Sequence, residues 1–262
     1  MVKGGMVLLD VVVPVFGQPE LLASCLKSLE ETAPEVRYRL IVVDDASPCD
    51  MKSVYDGLDA EIVRNEKNLG FPATVNRGVK TGYAPLILLL NSDIVLFPGC
   101  IQAMLKEFEE RSVGVVGAKL MFPPDSADRH RPAGKVQHAG MAFNIGGFPF
   151  HIRIGWDANH PKVNQRLDSL QCVTGALMMT RRFAWETAGG LSDVYGRGTF
   201  EDVEYCVRIK RMGYKVVYQP AAQAYHVVGA SAGQAGYPLQ QNLQMFLERN
   251  RGIIEWDEWR LW

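Results

Sequence analysis

A short polar cluster, Asn91-Ser92-Asp93, follows the most hydrophobic run of the chain, which extends from Ala84 to Leu90. A carboxylate directly after a buried strand has a rigid backbone position. Mg²⁺ and Mn²⁺ can bind a protein carboxylate and the oxygens of a phosphate at the same time, so Asp93 is a candidate metal ligand. The same residue types also favour a simple turn, and the spacing leaves both interpretations open.

A second acidic pair, Asp44-Asp45, ends another apolar run and is followed by Ala46-Ser47-Pro48. One of these carboxylates could accept hydrogen bonds from a ribose or a base. Alternatively, the segment could cap the next helix, since Asp and Ser are favourable N-cap residues. The sequence does not decide between these two interpretations.

Three acids within four residues, Glu201, Asp202 and Glu204, open a predicted helix. Thr199 and Asp202 have the spacing of a capping box, and the helix dipole favours acids in the first turn. A carboxylate at a helix start that faces a metal-bound diphosphate would instead be a positioned general base.

One histidine differs in its position from the others. His226 follows the last pair of predicted strands, within the segment from Tyr225 to Ser231. Most of the others, which are His130, His138, His151 and His160, have the surroundings of loop residues. If the sheet brings His226 to the edge where Asp93 lies, its imidazole can complete the metal site.

Glycine-rich phosphate-binding loops are missing from the sequence. No GxGxxG follows the first predicted strand and no GxxxxGK[ST] occurs. A dinucleotide-binding Rossmann domain and a P-loop enzyme are therefore disfavoured. A polyphosphate ligand would have to be held by a metal ion instead.

The elements that must position these residues alternate along the first half of the chain. Aliphatic and β-branched runs predict buried strands, with amphipathic helices between them. The predicted strands span 8–15, 39–43, 61–64, 85–90 and 113–120. This order predicts a three-layer α/β domain with a mostly parallel sheet, in which ligands bind at the carboxyl ends of the strands.

The alternation breaks at Phe122. Residues 122–167 are rich in Gly, Pro and His with weak periodicity, which indicates a functional excursion rather than a linker. Further strands are predicted at 171–180 and 214–218, the second ending in Gln219-Pro220 at the ligand edge. Further helices are predicted at 201–212 and 238–249.

Composition excludes several classes of protein. The 262 residues contain 28 Lys and Arg against 29 Asp and Glu, a net charge of −1, which disfavours a nucleic-acid binder. Five scattered cysteines without a CxxC pair fit a reducing compartment. No apolar run approaches the ~20 residues that span a bilayer, and the N-terminus has the pattern of a strand rather than a signal peptide. We expect a cytoplasmic protein.

Taken together, these segments resemble the family 2 glycosyltransferases with a GT-A fold, in particular their rhamnosyltransferase-like branch. Each segment by itself is weak evidence for this family, but the order of all of them along the chain is specific to it. The matching segments are residues 11–16, 41–47, 65–71, 76–78, 89–93, 189–191, 200–204 and 226–231. The resemblance implies an α/β/α GT-A domain over 1–262 with a Rossmann-like nucleotide-binding half.

The resemblance assigns residues to the nucleotide sugar. Those for the base and ribose are Pro14, Phe16 and Asp44 or Asp45, and those that support the nucleotide or donor sugar are Asn68 and Asn76. Asn91-Ser92-Asp93 stands where the family has its DxD motif. Asp93 and His226 would bind the divalent cation, Mn²⁺ or Mg²⁺, that bridges the donor diphosphate. Asn91 replaces the first acid of the motif and contributes no charge.

The same resemblance implies the reaction. Asp202 matches the general base that deprotonates an acceptor hydroxyl, and Glu201 would contact the acceptor. One base opposite the leaving group gives a single displacement with inversion. The donor would be a UDP-, dTDP- or GDP-linked sugar. The acceptor would be a saccharide or a lipid-linked saccharide in bacterial polysaccharide or glycoconjugate assembly.

The resemblance also implies three regions and leaves two alternatives. Residues 1–120 would bind the nucleotide sugar, 121–235 would carry the acceptor and catalytic half, and 236–262 would form a helix and tail. A sugar nucleotidyltransferase would need a glycine-rich basic loop after the first strand, which Gly17-Gln18-Pro19 does not supply. An inactive nucleotide- or glycan-binding module is the other alternative, and Asp93, Asp202 and His226 together argue against it.

Three tryptophans near the C-terminus, Trp256, Trp259 and Trp262, are open to two interpretations. They could rest on the inner face of a membrane or on a partner domain. Because few basic residues accompany them, we favour a C-terminal helix that packs on its own domain, or a truncation point in a larger protein.

Overall fold

A ten-stranded sheet runs through the described part of the chain, residues 8–227 and 238–257 of a computed structural model. The strands, two of which form a separate hairpin, are β1 (Leu9–Val15), β2 (Tyr38–Asp44), β3 (Glu61–Arg64), β4 (Leu86–Leu90), β5 (Ile94–Leu96), β6 (Val113–Met121), β7 (Val136–His138), β8 (Met141–Phe143), β9 (Pro149–His151), β10 (Leu167–Leu170), β11 (Leu177–Arg181) and β12 (Lys215–His226). The helices are α1 (Pro19–Thr32), α2 (Lys52–Tyr55), α3 (Phe71–Thr81), α4 (Cys100–Glu107), α5 (Arg182–Ala188), α6 (Glu201–Arg211) and α7 (Leu239–Arg249).

The sheet has the order β10-β12-β6-β11-β4-β1-β2-β3, with β5 paired to β12 and β7 paired to β6. Strands β1 to β4 are parallel to one another, and β12 is parallel to β6. Strand β11 runs antiparallel between β4 and β6. The predicted mostly parallel sheet is therefore confirmed, with one antiparallel strand in its centre.

Helices cover both faces of this sheet and give three layers. The central strand β4 is buried at every position, because Leu88 and Leu90 pack towards α1 and α4 whereas Ile87 and Leu89 pack towards α3. Burial on both faces explains its continuous aliphatic sequence. The predicted α/β/α arrangement is confirmed.

Two predicted strands have different boundaries in the structure. The strand predicted at 171–180 begins only at Leu177, and residues 171–176 form a loop. The strand predicted at 214–218 continues as β12 to His226, with a register shift between Gln219 and Gln223 that accommodates Pro220. A proline lacks the donor for a ladder hydrogen bond but is tolerated at such an irregularity. The expectation that Gln219-Pro220 ends a strand at the ligand edge is wrong.

The excursion over residues 122–167 is more ordered than its sequence suggests. It contains the short strands β7, β8 and β9, and Gln137, His138 and Phe143 are buried. Strand β7 pairs with the end of β6, and β8 forms a hairpin with β9. The segment therefore extends the molecule beside the carboxyl end of the sheet.

The C-terminal helix α7 packs on this domain, as the sequence favours. Phe246 is fully buried, and the Asn242 amide donates to the carbonyl oxygens of Tyr195 and Gly198. Trp256 is 48% exposed, whereas Trp259 and Trp262 lie outside the described residues. Within the described ranges, no helix has the length and apolar character required to cross a membrane.

Candidate active site

A cavity of about 480 Å³ opens at the carboxyl ends of β1, β2 and β4, a volume typical of a small-molecule site. Most of the predicted site residues line it. They are Pro14, Phe16, Asp45, Asn68, Asn91, Ser92, Glu201, Asp202 and His226. Segments far apart in sequence meet here because parallel strands bring their carboxyl ends to one edge.

Asp45 fixes one wall of the cavity. Its Oδ1 accepts hydrogen bonds from the Asn65 amide at 2.7 Å and the Leu69 N–H at 2.8 Å, and its Oδ2 accepts one from the Gly70 N–H at 3.0 Å. Gly70 has a positive φ of 87°, and a Cβ there would lie 2.3 Å from the Gly196 carbonyl oxygen. Only glycine therefore permits this close approach between two loops that border the cavity.

Asp44 is turned away from the cavity. It is fully buried, its Oδ1 accepts the Ser47 N–H at 2.7 Å, and its Oδ2 forms an ion pair with Arg64. Successive side chains of a strand point to opposite faces, so only Asp45 faces the ligand space. The helix-cap interpretation is also wrong, because α2 begins at Lys52 and its N-cap is Met51.

Asn76 is the second predicted residue that the structure places elsewhere. Its Nδ2 donates to the Leu191 carbonyl oxygen at 2.7 Å and to Asp193 Oδ1 at 2.9 Å, and its Oδ1 accepts the Leu191 N–H at 3.0 Å. It lines a separate surface cavity. Its amide therefore joins α3 to the segment before the 3₁₀ turn Asp193–Tyr195, and the predicted nucleotide contact is corrected to a structural one.

Asp93 and His226 are brought together by a strand pairing. Strand β5 follows Asp93 directly and is antiparallel to the end of β12, with Ile94 opposite His226. The Val227 N–H donates to the Asp93 carbonyl oxygen at 3.0 Å. As a result, His226 Nε2 lies 3.3 Å from Asp93 Oδ1, although the two residues are far apart in sequence. The rest of the predicted motif, residues 228–231, lies outside the described residues.

The groups around this pair fit a divalent cation. A carboxylate oxygen and an imidazole nitrogen converge, and Asn91 Oδ1 nearby in sequence is buried with no hydrogen-bond partner among the described residues. Carboxylate and amide oxygens suit both Mn²⁺ and Mg²⁺, and an imidazole nitrogen favours Mn²⁺ of the two. The described ranges contain no cluster of three or more His, Cys, Asp or Glu, so a cation here would need ligand or water oxygens as well.

The start of α6 is not a capping box. Its N-cap is Phe200, which has a positive φ of 71° and forms no side-chain cap. Asp202 instead accepts the Gly175 N–H at Oδ2 (2.7 Å) and the Val203 N–H at Oδ1 (2.8 Å). The carboxylate is therefore fixed between α6 and the 171–176 loop.

Glu201 and Asp202 share the cavity but differ in their partners. Glu201 is 6% exposed, and its Oε2 is buried with no hydrogen-bond partner in the described part of the chain. Burial, followed by repulsion from Asp202, raises the pKa of Glu201 well above its ordinary value. Burial also raises the pKa of Asp202, while the two backbone N–H groups stabilise its ionised form. Glu201 therefore takes the proton first.

Several cavity residues were missed by the sequence analysis. Thr174 and Gly175 line the cavity from the loop that had been predicted as a strand, and Arg197 lies between two glycines before Thr199. The Gly-Arg-Gly run was an available signal, because glycines on both sides of a cation favour a loop that approaches a ligand closely. Thr174 and Gly175 gave no such signal.

A mostly parallel sheet with an acidic cavity at the carboxyl ends of its strands is the arrangement of an α/β enzyme that binds a small molecule. Residues 10–187 match the family model described as "Glycosyl transferase family 2", so the chain belongs to this family of enzymes. The family match excludes the nucleotidyltransferase alternative.

Curated relatives match over much of the chain at low identity. The "Uncharacterized protein y4gI" of Sinorhizobium fredii is 26% identical over 89% of this chain and 26% of its own length. The "O-antigen biosynthesis protein RfbC" of Myxococcus xanthus is 26% identical over 85% of this chain and 17% of its own length. An "N-acetylglucosaminyl-diphospho-decaprenol L-rhamnosyltransferase" of Mycobacterium tuberculosis is 27% identical over 64% of this chain and 58% of its own length. The chain therefore spans 26% of the length of the first relative and 17% of the length of the second.

Two solved structures share the fold. GalNAc-T7, determined with UDP, GalNAc and Mn²⁺, superposes with a TM-score of 0.73 at 13% identity and covers 93% of this chain and 48% of its own. The mannosyltransferase PcManGT from Pyrobaculum calidifontis, determined with GDP-Man and Mn²⁺, has a TM-score of 0.63 at 15% identity. That match covers 91% of this chain and 61% of the mannosyltransferase chain. At these identities the likeness shows the fold alone.

Proposed function

We propose that this domain is an inverting, metal-dependent glycosyltransferase that moves a sugar from a nucleotide diphosphate to an acceptor hydroxyl. The observation that carries the proposal is the shared cavity. Its wall holds Asp45 and Phe16 at one strand edge, His226 beside Asp93, and the Glu201–Asp202 pair at the start of α6. One ligand can therefore contact a nucleotide-binding edge, a metal-compatible pair and a proton acceptor together.

Asp202 is the proton acceptor in this proposal. As the acceptor oxygen forms its bond to the anomeric carbon, its proton passes to the Asp202 carboxylate. The bond from the anomeric carbon to the diphosphate oxygen breaks, and its electron pair leaves with the diphosphate. The two backbone N–H groups that hold Asp202 fix its direction. Burial raises the pKa of Glu201, and the protonated form that this favours can donate a hydrogen bond to the acceptor.

The leaving diphosphate develops negative charge, which a divalent cation at Asp93 and His226 would neutralise when bound. Asp93 and His226 would hold that cation. Arg197 lines the same cavity and can offer a second positive charge to the phosphates. This compensation replaces the backbone phosphate cradle that the sequence lacks.

The class of substrate rests on the relatives. The rhamnosyltransferase relative supports a deoxysugar donor and a lipid-linked saccharide acceptor, and the O-antigen relative supports polysaccharide assembly. UDP, dTDP and GDP are the three candidate donor nucleotides. A cytoplasmic location is part of the same proposal.

Calorimetric titration with UDP, dTDP and GDP, in Mn²⁺ and in EDTA, tests the metal-bridged site. We expect one nucleotide to bind in Mn²⁺ and to lose at least tenfold in affinity in EDTA, because no backbone phosphate loop replaces the cation. Asp93→Ala should lose most of that metal-dependent affinity, whereas Asp125→Ala, at an exposed loop residue, should not. Equal affinity in Mn²⁺ and EDTA would refute the metal-bridged site, and a product with the donor's anomeric configuration would refute inversion.

A further inference from the structure

Gln137 holds His226 from two sides. The Gln137 Nε2 donates to the backbone carbonyl oxygen of His226 at 3.1 Å, and the Gln137 Oε1 lies 2.6 Å from His226 Nδ1. Gln137 is 7% exposed and lies on β7, within the excursion that interrupts the α/β alternation. Its side chain therefore reaches across from a separate element to the residue beside Asp93.

These two contacts determine which ring nitrogen of His226 carries hydrogen. A carbonyl oxygen can only accept a hydrogen bond, so the Gln137 group beside it must be the NH₂ end of the amide. The other end is then the amide oxygen, which is also only an acceptor. His226 Nδ1 must consequently be the donor in the 2.6 Å contact.

A hydrogen on Nδ1 leaves the lone pair of the neutral imidazole on Nε2. That nitrogen is the one that lies 3.3 Å from Asp93 Oδ1. With the opposite tautomer, the Nε2 hydrogen would occupy the space between the two groups. The amide thus prepares the nitrogen that faces the carboxylate for a cation, and metal-binding histidines commonly depend on such a partner on their second nitrogen.

We propose that Gln137 is a positioning residue that fixes His226 in its Nδ1–H form, with the Nε2 lone pair directed to a divalent cation shared with Asp93. This inference rests on the proposed function of Asp93 and His226 as a metal site. It gives the excursion over residues 122–167 a role in the donor half of the reaction.

The variants Gln137→Met and Gln137→Glu separate the effect of the amide from that of packing. Methionine keeps the size of the side chain but removes both contacts. Glutamate keeps an acceptor for Nδ1–H but removes the donor to the His226 carbonyl oxygen. The matched control is Gln171→Met, because Gln171 is also 7% exposed and also forms two hydrogen bonds with a single residue. Its Nε2 donates to the Glu255 carbonyl oxygen, and its Oε1 accepts the Glu255 N–H.

Two measurements are made on each protein. Mn²⁺ affinity is measured by electron paramagnetic resonance, and the His226 tautomer by ¹⁵N NMR of metal-free, histidine-labelled protein at about pH 8. We expect Nδ1–H in the wild type, and a loss of 10- to 100-fold in Mn²⁺ affinity in Gln137→Met. Gln137→Glu should keep the tautomer and stay within several-fold of the wild type. Gln171→Met should match the wild type in both measurements.

The outcomes distinguish the two proposals. An Nε2–H tautomer in the wild type, or a Gln137→Met protein that binds Mn²⁺ as tightly as the wild type, would overturn the role of Gln137 and leave the metal site standing. If Asp93→Ala binds Mn²⁺ as tightly as the wild type does, the metal site is refuted, and this inference is refuted with it. A melting curve of each variant checks that it is folded. If the methionine variant does not fold, the tautomer of the wild type still tests the role of Gln137.

Discussion

Asp202 and Glu201 are neighbours in the chain, yet their surroundings suit them to different tasks. Asp202 is held by two backbone N–H groups, whereas Glu201 has a buried oxygen without a partner among the described residues. A carboxylate that accepts hydrogen bonds is stabilised in its ionised form, and an isolated buried one is destabilised. Asp202 is therefore the better candidate for a base that must be ionised before the reaction.

We expect Asp202→Asn to lower sugar transfer by roughly 10²–10⁴-fold, the usual scale of general-base catalysis. Asparagine cannot accept both backbone N–H groups, so the free energy of unfolding should fall by about 1 kcal/mol as well. Nucleotide affinity should stay near that of the wild type. Transfer rate, calorimetry and a melting curve measure the three effects separately.

The matched control is Glu201→Gln. Burial raises the pKa of Glu201 and so favours its protonated form, for which glutamine is a close substitute. Transfer should therefore fall by much less than in Asp202→Asn. In the wild type, transfer should decline as the pH falls through a value above the ~4 of an ordinary Asp, because the pKa of Asp202 is raised by burial. An Asp202→Asn protein that transfers sugar at the wild-type rate would end this assignment.

Sequence reasoning identified site residues where one local rule was sufficient. Polar residues that end buried strands, such as Asp45 and Asp93, do lie at the cavity or beside it. The rule could not separate Asp44 from Asp45, since the choice depends on which residue meets Arg64 of the neighbouring strand. Nor could it place Asn76, whose partners at 191 and 193 lie more than a hundred residues away.

At the scale of elements, residues 174–176 connect the end of β4 at Asn91 to the proposed base. The Ala176 carbonyl oxygen accepts the Asn91 N–H at 2.9 Å, and the Gly175 N–H donates to Asp202. A displacement of this loop would therefore disturb both ends of the reaction.

The variant Gly175→Ala tests whether this loop holds Asp202 in position. The added Cβ would lie 3.1 Å from Asp202 Cβ, so the aspartate must move by a few tenths of an ångström. We expect transfer to fall roughly tenfold, since small errors in the position of a reacting group are costly. The melting temperature should change little, because the residue lies at the cavity rather than in the core.

Gly146→Ala provides the comparison for Gly175→Ala. Its added Cβ would also meet one side-chain atom, Asn144 Oδ1 at 3.3 Å, but on an exposed hairpin outside this cavity. Transfer by Gly146→Ala should equal that of the wild type. Equal transfer by both alanine variants would show that the loop does not position Asp202.

Element boundaries were predictable where periodicity extends over several residues, as in β1 and α7. Strands β7, β8 and β9 have three residues each, too few for an alternating pattern to emerge. Strand β12 was predicted too short because Pro220 is a local signal for an end, whereas pairing with β6 resumes beyond it. Such tertiary pairing cannot be derived from a local pattern.

At the scale of the whole molecule, stability in acid depends on two groups of buried side chains with opposite effects. His138 is fully buried, and its Nδ1 lies 2.9 Å from His151 Nδ1, between β7 and β9. Burial and neighbouring histidines lower the pKa of His138 well below its ordinary value and that of His151 to about 4. Burial raises the pKa of Glu201 and Asp202 instead.

The signs follow from which state binds more protons. An unfolded histidine takes up a proton below about pH 6.5, whereas folded His151 remains neutral until about pH 4, so the pair removes stability as the pH falls through that window. Folded Glu201 takes up its proton at a higher pH than in the unfolded chain, so it adds stability as the pH falls. The two contributions oppose each other in the wild type and become visible only in variants.

We therefore expect His151→Gln to lose less free energy of unfolding between pH 7 and pH 5 than the wild type. The variant lacks a histidine that takes up a proton in the unfolded chain but not in the folded protein. Glu201→Gln should lose more, because its compensating proton uptake is absent. His130→Gln, at an exposed loop residue, should follow the wild type. Urea unfolding of the four proteins at both pH values gives the differences directly. If His151→Gln and the wild type lose the same free energy, then His151 is not neutral in the folded protein at pH 5, and the acid sensitivity must originate elsewhere in the chain.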